Sequence, residues 1–193
     1  MSIRGGRKGL KIDARRDQEQ ILATARTLLP EHGPDFPMEE LARAAGIGVG
    51  ALYRRFGGRE QLIDAITEDA FQSVMANAEA ASAVTDAWQA LTAFITASIP
   101  DLKVVNCLSI WYPDARSDVR TTLAEHRRRQ ALLDVMEPLI GWAQSAGQVR
   151  GDVTVTDLET MLALMLRPVP GQPESPEETR RYVLLMLDGF RAR

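Results

Sequence analysis

Apolar residues recur at three- and four-residue steps along nearly the whole chain, and no segment alternates apolar and polar residues with period two. A helix returns to the same face every 3.6 residues and a strand every two, so this spacing puts apolar stripes on helices and leaves no sheet face to bury. The expected fold is therefore all-α, with about nine helices. The punctuation gives their bounds. Residues 18–29 carry Ile21, Leu22, Ala25, Leu28 and Leu29 on one stripe, and Pro30, Gly33 and Pro34 end it. Asp35 is a candidate cap for a short second helix, with Pro37 in its first turn and Met38, Leu41, Ala42 and Ala45 inward. A four-residue turn from Gly46 leads to a third helix through Leu52, Tyr53 and Phe56, broken by Gly57 and Gly58. Further helices are expected over 59–81, 86–99 (ended by Pro100), 102–111, 119–146 (kinked at Pro138), 157–166 and 177–191.

Charge divides the chain. Residues 1–60 hold 11 Lys/Arg against 8 Asp/Glu, whereas the rest holds 12 against 18. Arg4, Arg7, Lys8 and Lys11 lead the sequence with little acidic balance, so a basic head on an acidic body suits contact with a polyanion at one end. Three segments follow: a basic N-terminal arm over 1–17, a helix-turn-helix head over 18–60 and a larger helical body over 61–193. The single cysteine, Cys107, allows no internal disulfide, and His32 and His126 lie far apart. A structural metal site is thus not expected, and a reducing, cytoplasmic setting is. No apolar run reaches the ~18–20 residues of a membrane span, so no membrane partner is expected.

Enzyme chemistry finds no support. Gly46-x-Gly48-x-Gly50 follows a helix and lacks the phosphate-loop spacing, and neither GxSxG nor HExxH occurs. Glu125-His126, next to Arg127, Arg128 and Arg129, reads as a solvated helix face. The chain is expected to be no enzyme and to hold no cofactor.

The informative stretch is FPMEELARAAGIGVGALYRRFGGREQL, from Phe36 to Leu62. Small Ala42 and Ala45 let a second helix cross the first closely, Gly46 tolerates the positive φ of a tight turn, and Ile47 plugs the crossing. Leu52 and Phe56, four apart, anchor the second helix. Val49, Gly50, Ala51, Tyr53, Arg54 and Arg55 are left on or near the outward side. These residues, in the pattern Glu39-x-Leu41-Ala42-x-x-Ala45-Gly46-Ile47, Gly50-x-Leu52-Tyr53-x-x-Phe56 and Arg59-Glu60-x-Leu62, resemble the tetracycline-repressor (TetR) family of bacterial regulators. The resemblance covers residues 18–63 and extends weakly to Ala146-Gly147-x-Val149-Arg150-x-Asp152.

What the resemblance implies is a homodimeric repressor of a double-stranded DNA operator, released by a small-molecule effector. Val49, Gly50 and Ala51 would approach base edges, Tyr53 and Arg55 would grip phosphates, and Arg54 would reach either. Arg59 stands at a helix N-terminus where many members have Lys, and the N-terminal arm (Arg4, Arg7, Lys8, Lys11) would add contacts. Two departures stand out: Pro37 replaces a common Thr and Gly48 a common Ser, removing two polar contacts. In the body, Met75, Trp88, Phe94, Leu102, Trp111, Tyr112, Met136 and Ile140 are candidates to line an effector pocket suited to a neutral or aromatic ligand. Each is also what an ordinary core would contain.

The last two helices are apolar nearly all round. A terminal helix of that kind is covered on both sides, by its own chain on one and on the other by a symmetry mate or, as a doubly buried core helix, by its own chain again. Leu158, Met161, Leu162, Met165, Tyr182, Val183, Leu185, Met186 and Phe190 are the candidate dimer residues. A helical interaction module with a degenerate head, and a DNA-binding regulator needing no effector, are the alternatives.

Overall fold

The structure is a computed structural model that describes residues 6–33, 35–111, 119–167 and 175–192, with the backbone alone for 6–16, 30–31, 108–111 and 119–124. Eight helices account for most of it: α1 (Gly6–His32), α2 (Met38–Ala44), α3 (Val49–Phe56), α4 (Arg59–Ser82), α5 (Ala87–Trp111), α6 (Val119–Ser145), α7 (Val155–Met165) and α8 (Pro176–Gly189). Among the described residues there is no strand, only an isolated antiparallel bridge between Val149 and Arg191. The chain forms two compact units, Met1–Asp69 and Ala70–Arg193, and their boundary falls inside α4.

The first unit is built around α2. It contacts both α1 and α3, and its Met38, Leu41 and Ala42, with Ala45 just after it, are buried, as are Ile21, Leu22, Ala25 and Leu29 of α1, Leu52 of α3, and Leu62, Ile63 and Ile66 of α4. Arg26 on α1 pairs with Asp69 on α4 at 3.2 Å. Gly46, at φ 70°, turns the chain between α2 and α3. The Ile47 amide donates back to the Ala42 carbonyl at 2.9 Å and the Gly46 amide to Arg43 at 3.1 Å, which satisfies carbonyls that the end of α2 would leave orphaned.

Four sequence expectations change here. α1 starts at Gly6 rather than near Gln18, so its backbone extends back through Lys11, Lys8 and Arg7. The apolar stripe marks where α1 becomes buried, not where it begins; once that part is nucleated, extension through Lys11, Ala14, Arg15 and Arg16 costs little. α1 also runs through Pro30 to His32, and Gly33 closes it at φ 71° with its amide on the Leu29 carbonyl at 2.9 Å. Asp35 caps nothing: α2 begins after Pro37, no side chain caps it, and Phe36 is buried in the approach to it. Finally, residues 86–99 and 102–111 form one helix, α5, with Pro100 inside it, which brings the count to eight. An interior proline costs about 3 kcal/mol, but Pro100 is exposed while Ile99, Leu102 and Val104 are buried on either side of it. Burying those side chains in one continuous helix outweighs the lost hydrogen bond. α6 likewise continues through exposed Pro138.

The second unit packs α5 through its middle. Leu91, Phe94, Ile95, Ile99 and Leu102 meet Val74 of α4, Met136, Ile140 and Ala143 of α6, Leu158 and Leu162 of α7, and Val183 and Leu187 of α8. The turn after α6 ties its ends together. Gln148 donates to the Asp86 carboxylate at 2.7 Å and accepts from the Trp88 amide at 2.9 Å, while the Arg150 and Ala192 amides pair with Phe190 and Gln148. Arg191 lies over the Trp88 ring at 4.9 Å. α7 carries a capping box, in which Thr154 accepts from the Asp157 amide and the Asp157 carboxylate accepts from the Thr154 amide.

Candidate nucleic-acid interface

α3 is the short second helix of the helix-turn-helix, and its two sides differ sharply. Leu52 is wholly buried and Phe56 half-buried, which fixes the helix on α2. On the other side Val49 is 36% exposed and Tyr53 46%, and Gly50 and Arg54 are exposed as well. Val49 and Tyr53 are four apart, as are Gly50 and Arg54, so the four make one outward patch. A Cβ on Gly50 would lie 3.4 Å from the Arg54 guanidinium, so the arginine folds back toward the start of the helix. Gly48 is the N-cap and no side chain bonds there. The Ala51 and Leu52 amides donate to the Gly48 carbonyl, and the positive end of the helix dipole at Val49 and Gly50 suits an anion.

Three predicted contact residues have partners within the head or lie less openly. Ala51 is half-buried. Arg55 is mostly buried and faces Asp17 of α1 at 3.8 Å. Arg59, the first residue of α4, donates to the Phe36 carbonyl at 2.7 Å and stacks over the Phe36 ring at 5.6 Å. It therefore secures the segment between α1 and α2, an attachment that no local sequence pattern signals. Arg7, Lys8 and Lys11 lie on the first turns of α1, where only the backbone is described, and Arg4 lies outside the described residues.

The body candidates divide as well. Phe94, Leu102, Met136 and Ile140 belong to the buried core, with Met75 and Trp88 packed against it. Trp88 stands at the edge, held by Gln148 and Arg191. Trp111 ends α5 with its side chain outside the described set, and Tyr112 lies outside the described residues altogether. Of the dimer candidates, Leu158, Leu162, Val183, Met186 and Phe190 are buried in their own chain and Met165 is packed against them. Met161, Tyr182 and Leu185 are exposed, and so is Leu164, at 67% the most exposed large apolar side chain described and one missed from the sequence. Its spacing of three from Met161 was the available signal. A groove of about 600 Å³ opens beside this face, between Arg150, Asp152, Asp157, Met161, Leu185 and Phe190. The described residues hold no cluster of His, Cys, Asp or Glu fit for a metal ion, and none of their helices is long and apolar enough to cross a membrane.

A small helix-turn-helix head followed by a larger helical body defines a DNA-binding transcription regulator. The comparisons give the family. Residues 21–66 match the bacterial regulatory proteins of the tetR family, and residues 86–192 match the C-terminal domain of SbtR-like transcriptional regulators. The chain belongs to the TetR family of transcriptional regulators. Among solved structures it is similar to a TetR regulatory protein from Mycobacterium vanbaalenii (27% identity, 95% of this chain and 99% of that one, TM-score 0.64). It is similar also to the TetR regulator SCO0520 from Streptomyces coelicolor (28% identity, 91% and 98% covered, TM-score 0.66). The fold of AibR, solved with isovaleryl coenzyme A and operator DNA, matches at 18% identity, 88% and 97% coverage and a TM-score of 0.58. No curated protein matches the sequence.

Proposed function

We propose that the chain is a ligand-responsive repressor that binds a pseudo-palindromic operator as a homodimer and leaves it when a small molecule binds the body. The observation that carries the DNA reading is the outward face of α3, where Val49, Gly50, Tyr53 and Arg54 stand free above a buried Leu52 anchor. Val49, Gly50 and Ala51 are small enough for thymine methyls and close backbone approach, Arg54 for a guanine edge or a phosphate, and Tyr53 and Arg55 for phosphates. Arg4, Arg7, Lys8 and Lys11 add a basic extension at the start of the chain. In this reading Arg59 acts on the Phe36 carbonyl as well as offering its charge at the head of α4.

For the dimer, the support is the exposed apolar set Met161, Leu164, Tyr182 and Leu185 on α7 and α8. A second copy would cover it, and a twofold would set two recognition helices roughly 34 Å apart, one per major-groove turn. For the effector, the support is a core rich in large flexible or aromatic side chains and poor in charge, which favours a neutral or aromatic ligand. AibR is a protein of this fold solved with both an acyl thioester and operator DNA.

Selection of bound duplexes from a random pool at near-physiological salt tests the reading. A palindrome of two half-sites is expected; a pool that stays random with folded dimer present would overturn it. On the recovered duplex, Tyr53→Ala should weaken binding to all sequences alike, and Arg54→Ala should relax preference at one position per half-site. A panel of small molecules screened for raised melting temperature tests the effector, since a ligand of the folded state stabilises it by mass action.

A further inference from the structure

We propose that Asp17 is a positioning residue that sets the discrimination of the head, by holding Arg55 against the indiscriminate pull of DNA phosphate. The inference rests on the DNA-binding reading above. Asp17 belongs to α1 and lies outside the helix-turn-helix, yet its carboxylate faces the Arg55 guanidinium of α3 at 3.8 Å. Asp17 and Arg55 share with Ile21, Ile47, Ala51 and Arg54 the walls of an open groove of about 300 Å³. The Arg55 side chain is 23% exposed and that of Asp17 55%. The arginine stem is thus clasped by the groove, while the carboxylate stands at the solvent edge with two guanidiniums on the same groove.

A negative charge in that place opposes binding to a polyanion, so it needs a compensating use. Sequence-independent binding is made of phosphate contacts alone, and it gains from every mobile cation on the protein surface. A guanidinium carries five donors in a fixed fork. In one docked register Arg55 can keep Asp17 on one side and donate to a single phosphate from the other. In the many registers of a sliding head no such shared geometry recurs, so the phosphate must displace the carboxylate or lie beside it. Asp17 therefore weakens random binding more than operator binding.

The test is Asp17→Asn, titrated against random-sequence duplex and against the duplex recovered by selection, over a series of salt concentrations. Random-duplex affinity is expected to rise about three- to fivefold, the scale of an exposed ion pair released. Its salt slope should steepen by about 0.9, one further phosphate neutralised. Operator affinity should change less than about twofold on the same scale, so that the specificity ratio falls. In an Arg55→Ala background the same Asp17→Asn change should have no effect on random binding. Unchanged random affinity and slope, an equal rise on both duplexes, or a rise that survives Arg55→Ala would each overturn the proposal while leaving DNA binding intact. A wild-type chain that retains no duplex even at low salt would remove the DNA reading, and this inference with it. Asp17 is half-exposed, so unchanged helical content and melting temperature in Asp17→Asn are expected alongside.

Discussion

Replacing Arg59 separates two things a cation can do at the head of α4. The guanidinium donates to the Phe36 carbonyl at 2.7 Å from a half-buried position and lies over a buried ring at 5.6 Å. A charge-assisted hydrogen bond contributes roughly 1.5–3 kcal/mol when buried, and water regains part of that here, leaving about 1–1.5 kcal/mol. The cation–π contact adds about 0.5–1 kcal/mol. Arg59→Ala should therefore destabilise the protein by about 2 kcal/mol. If the chain melts as one cooperative unit, that lowers Tm by about 4–8 °C.

Arg59→Lys makes the test sharper. Lysine keeps the charge but has neither the planar face nor the fork, so it should recover less than half of the lost stability. A phosphate, by contrast, accepts lysine as a point charge. Thermal melts and DNA titrations against salt should be run on both variants. The structure leads us to expect that both lose stability and that the salt slope of Arg59→Lys stays at the wild-type value. Full stability in Arg59→Ala, together with a slope shallower by about one phosphate, would refute the reasoning and make Arg59 a DNA contact alone.

Gly46→Ala tests the turn: a Cβ there meets no atom within 4 Å, so the whole penalty is the left-handed backbone at φ 70°, about 1–2 kcal/mol in a denaturant titration. Gly48→Ser goes the other way, since the N-cap of α3 is at φ −74° with open space around it, and a serine cap should add a few tenths of a kcal/mol. Acid should destabilise the body. The Gln89 amide and Gln148 hold the Asp86 carboxyl below its ordinary value, Arg150 does the same for Asp152, and the Thr154 hydroxyl and amide for Asp157. Groups with lowered folded values contribute stability above their unfolded pKa near ~3.9. That stability is lost as pH falls through the lower folded values, so melts should fall from pH 5 downward, and less steeply in Asp157→Asn. Leu164→Glu with Leu185→Glu should give a folded monomer by sedimentation; an unaltered dimer would place the contact elsewhere.

The helices and the head were legible because their signals are local. Leu52 and Phe56 four apart, small Ala42 and Ala45, and Gly46 at the turn specify a helix-turn-helix between residues 42 and 56, and each of those positions is where the motif needs it. Prolines were less faithful guides. Pro30 and Pro100 read as stops, yet both lie inside helices, because the decision rests on burial of Leu29, Ile99 and Leu102 by elements distant in sequence. The start of α1 escaped for the related reason that a solvated extension of a buried helix needs no apolar stripe. The ties of Asp17 to Arg55 and of Arg59 to Phe36 span separations no local pattern encodes.

In α7 and α8 the sequence says that both sides are apolar but not which side belongs to which neighbour. The structure divides them. Leu158, Leu162 and Leu166, spaced by four, turn into the core, as do Val183, Met186, Leu187 and Phe190. Met161 and Leu164, spaced by three, and Tyr182 and Leu185, likewise spaced, stay in solvent. Exposing four large apolar groups on two helices that contact each other is unfavourable for an isolated chain, and nothing about the core demands it, because the inward stripe is already complete. The same division limits the effector reading. Phe94, Met136 and Ile140 are buried against one another's helices, so a ligand that reaches their faces must part packed side chains. An effector that binds there selects a minor arrangement of the body, and its pull on the head is bounded by its preference for that arrangement over the packed one.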